Sequence, residues 1–409
     1  MLKIGFFGLS HLGLCYAAAF LKKGFKIIAV DKNQNLINDL NNKKLPIYER
    51  GLDIIFKKKI LFSSNVHDLN EADFIFYSKD VITDEQNISN YNLIKTDINE
   101  LDSIINKKKP LIVLSQVYPG FLRSLKVKRD LFYKVETLIF GQAIERALYP
   151  ERIIIGKKNY NSTISKEIIS CLRKFTKNLI ITNYETAELA KISINLFLIS
   201  SIMTSNSIAQ YCEKINANWE VIKKSLSLDK RIGQRAYLNP SPGLSGGNLE
   251  RDLKNAARLF SPNNLYQTWI NIDKKMTNWT LDVLKKQIKK KAKLLIVGSV
   301  YKKGTNSLKN SYSLNLLKNI SKVYNIRMYE ENMSLFRKFK VFKNLNNFNK
   351  NEKIKFDAII FVNDWYKPNK KNYLNYLNSK TKVIDPYGYF SKNKLIKNYA
   401  YFSIGHFRL

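Results

Sequence analysis

The chain opens on an apolar run, Leu2 to Gly8, of the kind that forms a strand buried on both faces of a parallel sheet. A glycine-containing turn follows, then the helical stretch HLGLCYAAAFLKKG, then a second apolar strand, KIIAVD, ending on Asp31. Further apolar runs at ADFIFYS, PLIVLS and RIIIG alternate with helical stretches, which predicts a doubly wound sheet. From Glu185 to about Lys214 neither Pro nor Gly interrupts a largely apolar sequence. That predicts one helix of ~45 Å at 1.5 Å per residue, buried between domains or subunits. After more helices and the Lys-rich stretch LKKQIKKKAK, a second strand–turn–helix set begins at KLLIVGSVYKKGTNS. Strands at NIRMYE, FDAIIFVND and KVIDP complete another open parallel sheet. Two α/β halves therefore flank a helical middle.

The first turn carries chemistry. Gly8, Ser10 and Gly13 spell G-x-S-x-x-G between a strand and a helix, and Asp31 closes the next strand eighteen residues beyond Gly13. Backbone N–H groups at such a helix start hold a pyrophosphate, and an acid at the neighbouring strand tip holds a ribose. The alternative is an ordinary strand–helix–strand turn, and the Ser10 side chain, in place of a middle glycine, is expected to crowd the pyrophosphate. Asp31 favours NAD over NADP, because a carboxylate repels a ribose 2′-phosphate. On the long helix Glu188, Lys191 and Asn195 share one face. They form either an internal salt-bridge network or a ligand-facing catalytic stripe, since buried polar groups need partners. NPSPGLSGGN, residues 239–248, is a close-approach backbone loop running into a helix that carries Asp252.

Composition narrows the picture. The 409 residues are 45% apolar and 25% charged, which are globular proportions. Cys15, Cys171 and Cys212 are too scattered for a disulfide framework and point to a reducing cytosol. His11, His67 and His406 show no metal-ligand spacing, so no metal site is expected. The net charge of +36 is spread along the whole chain without a compact basic and aromatic block. It suits phosphate-bearing small ligands better than nucleic acid. Residues 4–21 carry glycines at fixed places and continue into a second strand, unlike a leader peptide. No membrane span is expected, and the protein is placed in the cytoplasm.

Taken in order, these segments resemble the nucleotide-sugar 6-dehydrogenases, the UDP-glucose and GDP-mannose dehydrogenase family, over nearly the whole chain. KIGFFGLSHLGL is similar to that family's opening strand and turn, LPIYERGL to its next helix start, and LSQVYPG to its Ser-Thr-Val-x-x-Gly segment, with Gln116 in place of threonine. ETLIFGQAIERALYPERIIIG resembles its Pro-Glu-Phe-Leu segment and keeps Glu136. TAELAKISINLFL resembles its central helix and sets Lys191 and Asn195 on the catalytic lysine and asparagine. LDKRIG, PGLSGGNLERD, GSVYKKGTNSLKNS and VIDPYG fill the remaining landmarks.

The resemblance implies two Rossmann-like doubly wound parallel-sheet domains joined by a long central helix and a helical dimerisation region. An NAD-binding domain would occupy 1–183, the dimerisation region 184–290, and a nucleotide-sugar-binding domain 291–409. It implies NAD held by Gly8, Ser10, Leu12, Gly13, Asp31, Ser115 and Gln116. It implies a UDP- or GDP-linked sugar held by Arg231, Tyr237, Gly243, Gly246, Gly247, Tyr301 and Lys302, and a homodimer built on the central helix. Polysaccharide synthesis is the implied setting. In the family a C6 alcohol loses hydride to NAD, a cysteine adds to the aldehyde, and a thioester is hydrolysed after a second hydride leaves. Here Asn248 stands at the cysteine position, Arg251 replaces a lysine, and Lys79, Asp80 and Val81 replace Val-Pro-Thr. Pro386 and Tyr387 stand where an arginine-bearing motif is expected. The expected function is thus NAD-dependent oxidation of a nucleotide sugar without a thioester, by Lys191, Asn195, Asp252, Glu136 and Asn248. The alternative is a catalytically silent binder with a scaffold or regulatory role.

Overall fold

The fold is that of a computed structural model describing residues 1–409 apart from 58–59, 85–87, 246, 261–263, 301–307, 309–310, 341, 343–344, 349–353, 364–374 and 409. Its strands are β1 (Lys3–Phe7), β2 (Lys26–Val30), β3 (Leu61–Ser63), β4 (Phe74–Tyr77), β5 (Ile82–Thr83), β6 (Ser89–Asn90), β7 (Leu111–Val113), β8 (Leu131–Lys134), β9 (Ile153–Lys157) and β10 (Leu179–Asn183) in the first part of the chain. In the second part they are β11 (Lys293–Val297), β12 (Asn325–Tyr329), β13 (Leu345–Asn347), β14 (Ala358–Phe361), β15 (Lys382–Ile384), β16 (Ala400–Ser403) and β17 (His406–Arg408). The chain divides into two compact units, Met1–Ile194 and Asn195–Leu409, and the helical middle beyond residue 194 groups with the second sheet.

The first unit is built on an eight-stranded sheet in the order β10-β9-β8-β7-β4-β1-β2-β3. β1 is an interior strand, paired in parallel with β2 and β4, so the order reverses at the end of β1. A ligand crevice forms at such a switch point in open α/β sheets. β1 is buried apart from its first residue because both faces are covered. Phe6 stacks on Phe76 and meets Phe20 of the following helix on one face, while Phe7 stacks on Tyr77 on the other. The sheet is not wholly parallel as expected: β9 runs antiparallel to β8. The second unit carries a seven-stranded sheet, β13-β12-β11-β14-β15-β16-β17, parallel except for the closing β16–β17 hairpin.

The long helix runs from Tyr184 to Ile215, 32 residues in all. It is long and apolar enough to cross a membrane by length and composition, and half of its most apolar window is buried in the structure. In the single chain one side of the helix is open. Leu189, Phe197, Ile208, Tyr211 and Ile215 are exposed, Phe197 by 79%. At 100° per residue these five fall in one stripe about 100° wide, away from Glu188, Lys191 and Asn195.

Candidate active site

In the first unit the glycine turn is fixed from several sides. Gly8 has a φ of +93°, which a side chain would strain, and its N–H donates to Val30. A Cβ on Gly13 would come within 2.0 Å of the Gly8 carbonyl oxygen, so only glycine lets the helix His11–Lys22 start this close to β1. Ser10 is tied to the loop after β4. Its Oγ donates to the Ser78 carbonyl and accepts from the Asp80 N–H, folding the side chain back onto the segment after β4. Asp31 is nearly buried, with one oxygen accepting from Leu9 N–H and the other from Asn33 N–H. It thereby holds the turn as well as standing at the tip of β2. The first-turn amides of a helix have no partner inside it, and that of His11 donates to the Asp80 carboxylate. Leu12 and Ser115 are buried beside it, and Ser115 Oγ donates to the Lys79 carbonyl. Gln116 is half-buried just after β7. The turn, the amides and the acid at the strand tip fit a dinucleotide.

Lys191 Nζ lies 2.9 Å from Glu136 Oε1, with both side chains largely buried. Leu138 N–H donates to Glu136 at 2.8 Å. Burial alone raises the Glu136 carboxyl, but the charge and hydrogen bond of Lys191 outweigh it and hold the group below the usual range. Glu188, one turn earlier, has a different task. Its carboxylate accepts from Gly120 N–H and Leu122 N–H and anchors the short helix Phe121–Ser124. Burial pushes it up to about 7.

Two features escaped the sequence. Lys134, on β8 two residues before Glu136, is only 4% exposed and donates to Tyr16 OH at 3.0 Å. The other is a cluster of His11, Cys15 and Glu49, whose ligand atoms lie within 4.8 Å of one another. His11 and Cys15 are one helical turn apart, a spacing that could have flagged them. The cluster does not suit a metal. Glu49 already accepts from His11 Nε2, Gly141 N–H and Ala143 N–H. Burial also drives the Cys15 thiol far above its ordinary range. The group acts as a clasp joining the helix start to the loop after Glu136.

In the second unit Asn195 Nδ2 donates to Asp252, which is fully buried and also receives Arg251 Nε at 3.1 Å. Asn248 begins the helix Asn248–Leu259 and is exposed, one turn before Asp252. Gly247 caps that helix. Gly243 turns with φ +87° and packs where a Cβ would meet Thr277 Oγ1 at 2.5 Å, so the loop's close approach is to its own unit. Arg231 is exposed and paired with Asp229 at 2.7 Å. Tyr237 is partly exposed, and its carbonyl accepts from Ser201 and Ser205. Asp385, beside Pro386 and Tyr387, is buried and bound by Tyr401 OH and Phe390 N–H. Gly246, Tyr301 and Lys302 lie outside the described residues.

Residues 2–175 match the NAD-binding domain of the UDP-glucose/GDP-mannose dehydrogenase family, and residues 185–276 match its central domain. The chain belongs to that family. Its NAD-binding domain thus contains the glycine turn and Asp31, and NAD is its cofactor. Members of the family are NAD-dependent nucleotide-sugar dehydrogenases. The chain is 28% identical over 391 residues to the UDP-glucose 6-dehydrogenase of Rickettsia bellii, covering 89% of each chain. Among solved structures it resembles a UDP-glucose dehydrogenase from Pyrobaculum islandicum, with a TM-score of 0.84 at 16% identity over 99% of this chain and 98% of that one. A UDP-D-ManNAc dehydrogenase from Pyrococcus horikoshii has a TM-score of 0.81 at 18% identity, over 98% and 99%. At those identities the two structures speak for the fold.

Proposed function

We propose that the chain oxidises a hydroxyl, at C6, of a UDP- or GDP-linked sugar without a covalent thioester. The observation that carries this reading is the buried Lys191–Glu136 pair on the family's central helix, followed one turn later by Asn195 bonded to Asp252. NAD, when bound, supplies the hydride acceptor. The glycine turn with Gly8, Ser10, Leu12 and Gly13 holds the pyrophosphate, Asp31 the adenosine ribose, and Ser115 with Gln116 the far wall. Lys191, held by Glu136, assists removal of the proton from the C6 hydroxyl. Asp252, fixed by Asn195, orients water or the hydroxyl. Asn248 has no thiolate-like nucleophile to offer, so water hydrates the aldehyde directly if oxidation proceeds to the acid. Arg231, Tyr237, Gly243, Gly246, Gly247, Tyr301 and Lys302 serve the nucleotide sugar. The exposed apolar stripe of the long helix pairs with its copy in a homodimer, in the cytoplasm.

The test is stoichiometric. Purified protein is incubated with NAD and a panel of UDP- and GDP-sugars, and NADH formed is counted per sugar consumed. Two equivalents mean an acid and one means an aldehyde or ketone. No NADH with any sugar, from a protein that still binds NAD, contradicts the proposal and favours a silent binding role.

A further inference from the structure

Lys134 is unusual in its surroundings. It sits at the end of β8, at the carboxyl edge of the sheet, paired across to Ile155 of β9. Its ammonium has Tyr16 OH at 3.0 Å and the Tyr16 ring face at 4.3 Å, a cation–π seat with one neutral oxygen. Tyr16 is itself buried. Two residues further along the chain is Glu136, already holding Lys191. Glu136 therefore holds one ammonium directly and feels the charge of the second, Lys134, through space.

We propose, on the reading of Lys191 as proton acceptor, that Lys134 is a positioning residue that holds a reserve cation against Glu136, so that Lys191 can lose its proton without leaving a bare buried carboxylate. A buried carboxylate stripped of its cation is strongly disfavoured, and so is a net positive charge in the same dry site. The trio is balanced when one of the two lysines is charged. With Lys191 charged, Lys134 is free to be neutral; with Lys191 neutral, Lys134 carries the cation. The two titrations are coupled. Burial, opposed by Glu136, lowers the Lys134 amine to about 7, which puts the exchange in the neutral range. The groups facing the trio do not replace this cation. Burial raises Tyr16 and Cys15 on the first helix, keeping both neutral. Arg146, on the helix Ala143–Leu148, is taken up by Glu151 and the Thr137 carbonyl, and Asp80 after β4 is acidic.

The experiment titrates the lysines of the full chain by NMR of 13C-labelled side chains, assigning Lys134 and Lys191 by Lys134→Met and Lys191→Met. The expected result is that Lys191 in Lys134→Met holds its proton about tenfold more tightly than in the wild type, a shift of about one pKa unit. Turnover at pH 7 falls by about the same factor, recovers at higher pH, and leaves KM for NAD and sugar unchanged. Tyr16→Phe, which keeps the ring and removes the oxygen, moves Lys191 the same way by less. If Lys134→Met fails to fold, Lys134→Gln takes its place. A folded variant whose Lys191 titrates as in the wild type overturns the proposal. A wild type that oxidises no sugar contradicts the proposed reaction instead, while the NMR titration still decides whether the lysines are coupled.

Discussion

At the residue scale the reading divides cleanly between positions that do chemistry and positions that shape the chain. Lys191→Ala is expected to abolish NADH formation while leaving NAD binding intact, since the lysine is bound to Glu136 and not to the glycine turn. Asn248→Ala is expected to keep measurable activity, because the exposed amide offers no nucleophile; an alanine variant as inactive as Lys191→Ala contradicts this. Gly13→Ala has a different cost. Its methyl group would overlap the Gly8 carbonyl oxygen, so the helix start must move, with a loss of about 1–3 kcal/mol in stability. Thermal unfolding and NAD titration check it: both are expected to weaken, and an unchanged NAD affinity contradicts the assignment of the cradle. Ser10 illustrates what a motif hides. As a letter it occupies a position where glycine is wanted, and its hydroxyl finds two partners on the neighbouring loop.

At the scale of elements, the exposed stripe on the long helix makes the most direct prediction. Phe197→Glu places a charge on a residue 79% open in the single chain, so the monomer fold is expected to survive while self-association is lost. Sedimentation velocity checks it, and a dimer unchanged by the substitution contradicts the assignment of this helix to the interface. The same helix shows why much of the fold was legible. Thirty-two residues without Pro or Gly can hardly form anything else, and long apolar runs such as KIGFF and KLLIV mark interior strands of both sheets. What escaped were short or impure strands. β8 reads LFYK, where a buried lysine interrupts the apolar run, and β10 exposes Ile180 and Ile181 at a sheet edge. The antiparallel β8–β9 pairing is equally silent in sequence, because register is decided by tertiary contacts. Of the proposed site, Lys191, Asn195 and Asp252 were singled out through spacing and resemblance. The partner of Lys134 was not, since Tyr16 lies 118 residues away along the chain.

At the scale of the whole molecule, the buried lysine ties stability to pH. The Lys134 amine, ordinarily near 10.5, lies at about 7 in the fold, so between those values the unfolded chain binds more protons than the native one. Stability from this group therefore rises with pH across that window, and the penalty is complete below about 7. Lys134→Met is expected to raise the unfolding temperature near pH 6 and to lose that advantage toward pH 10; a gain independent of pH contradicts the assignment. Glu188 works in the opposite sense. Its carboxyl is raised from 4.5 to about 7 in the fold, so its contribution falls as pH climbs through that interval. The central claim is that the family's hydride chemistry persists here on Lys191 with no cysteine. Its most direct measurement uses UDP- and GDP-sugars deuterated at C6, with mass analysis of the nicotinamide product. Deuterium is expected in the reduced cofactor from the wild type and none from Lys191→Ala. Deuterium retained in every sugar by a wild-type protein that binds NAD contradicts it.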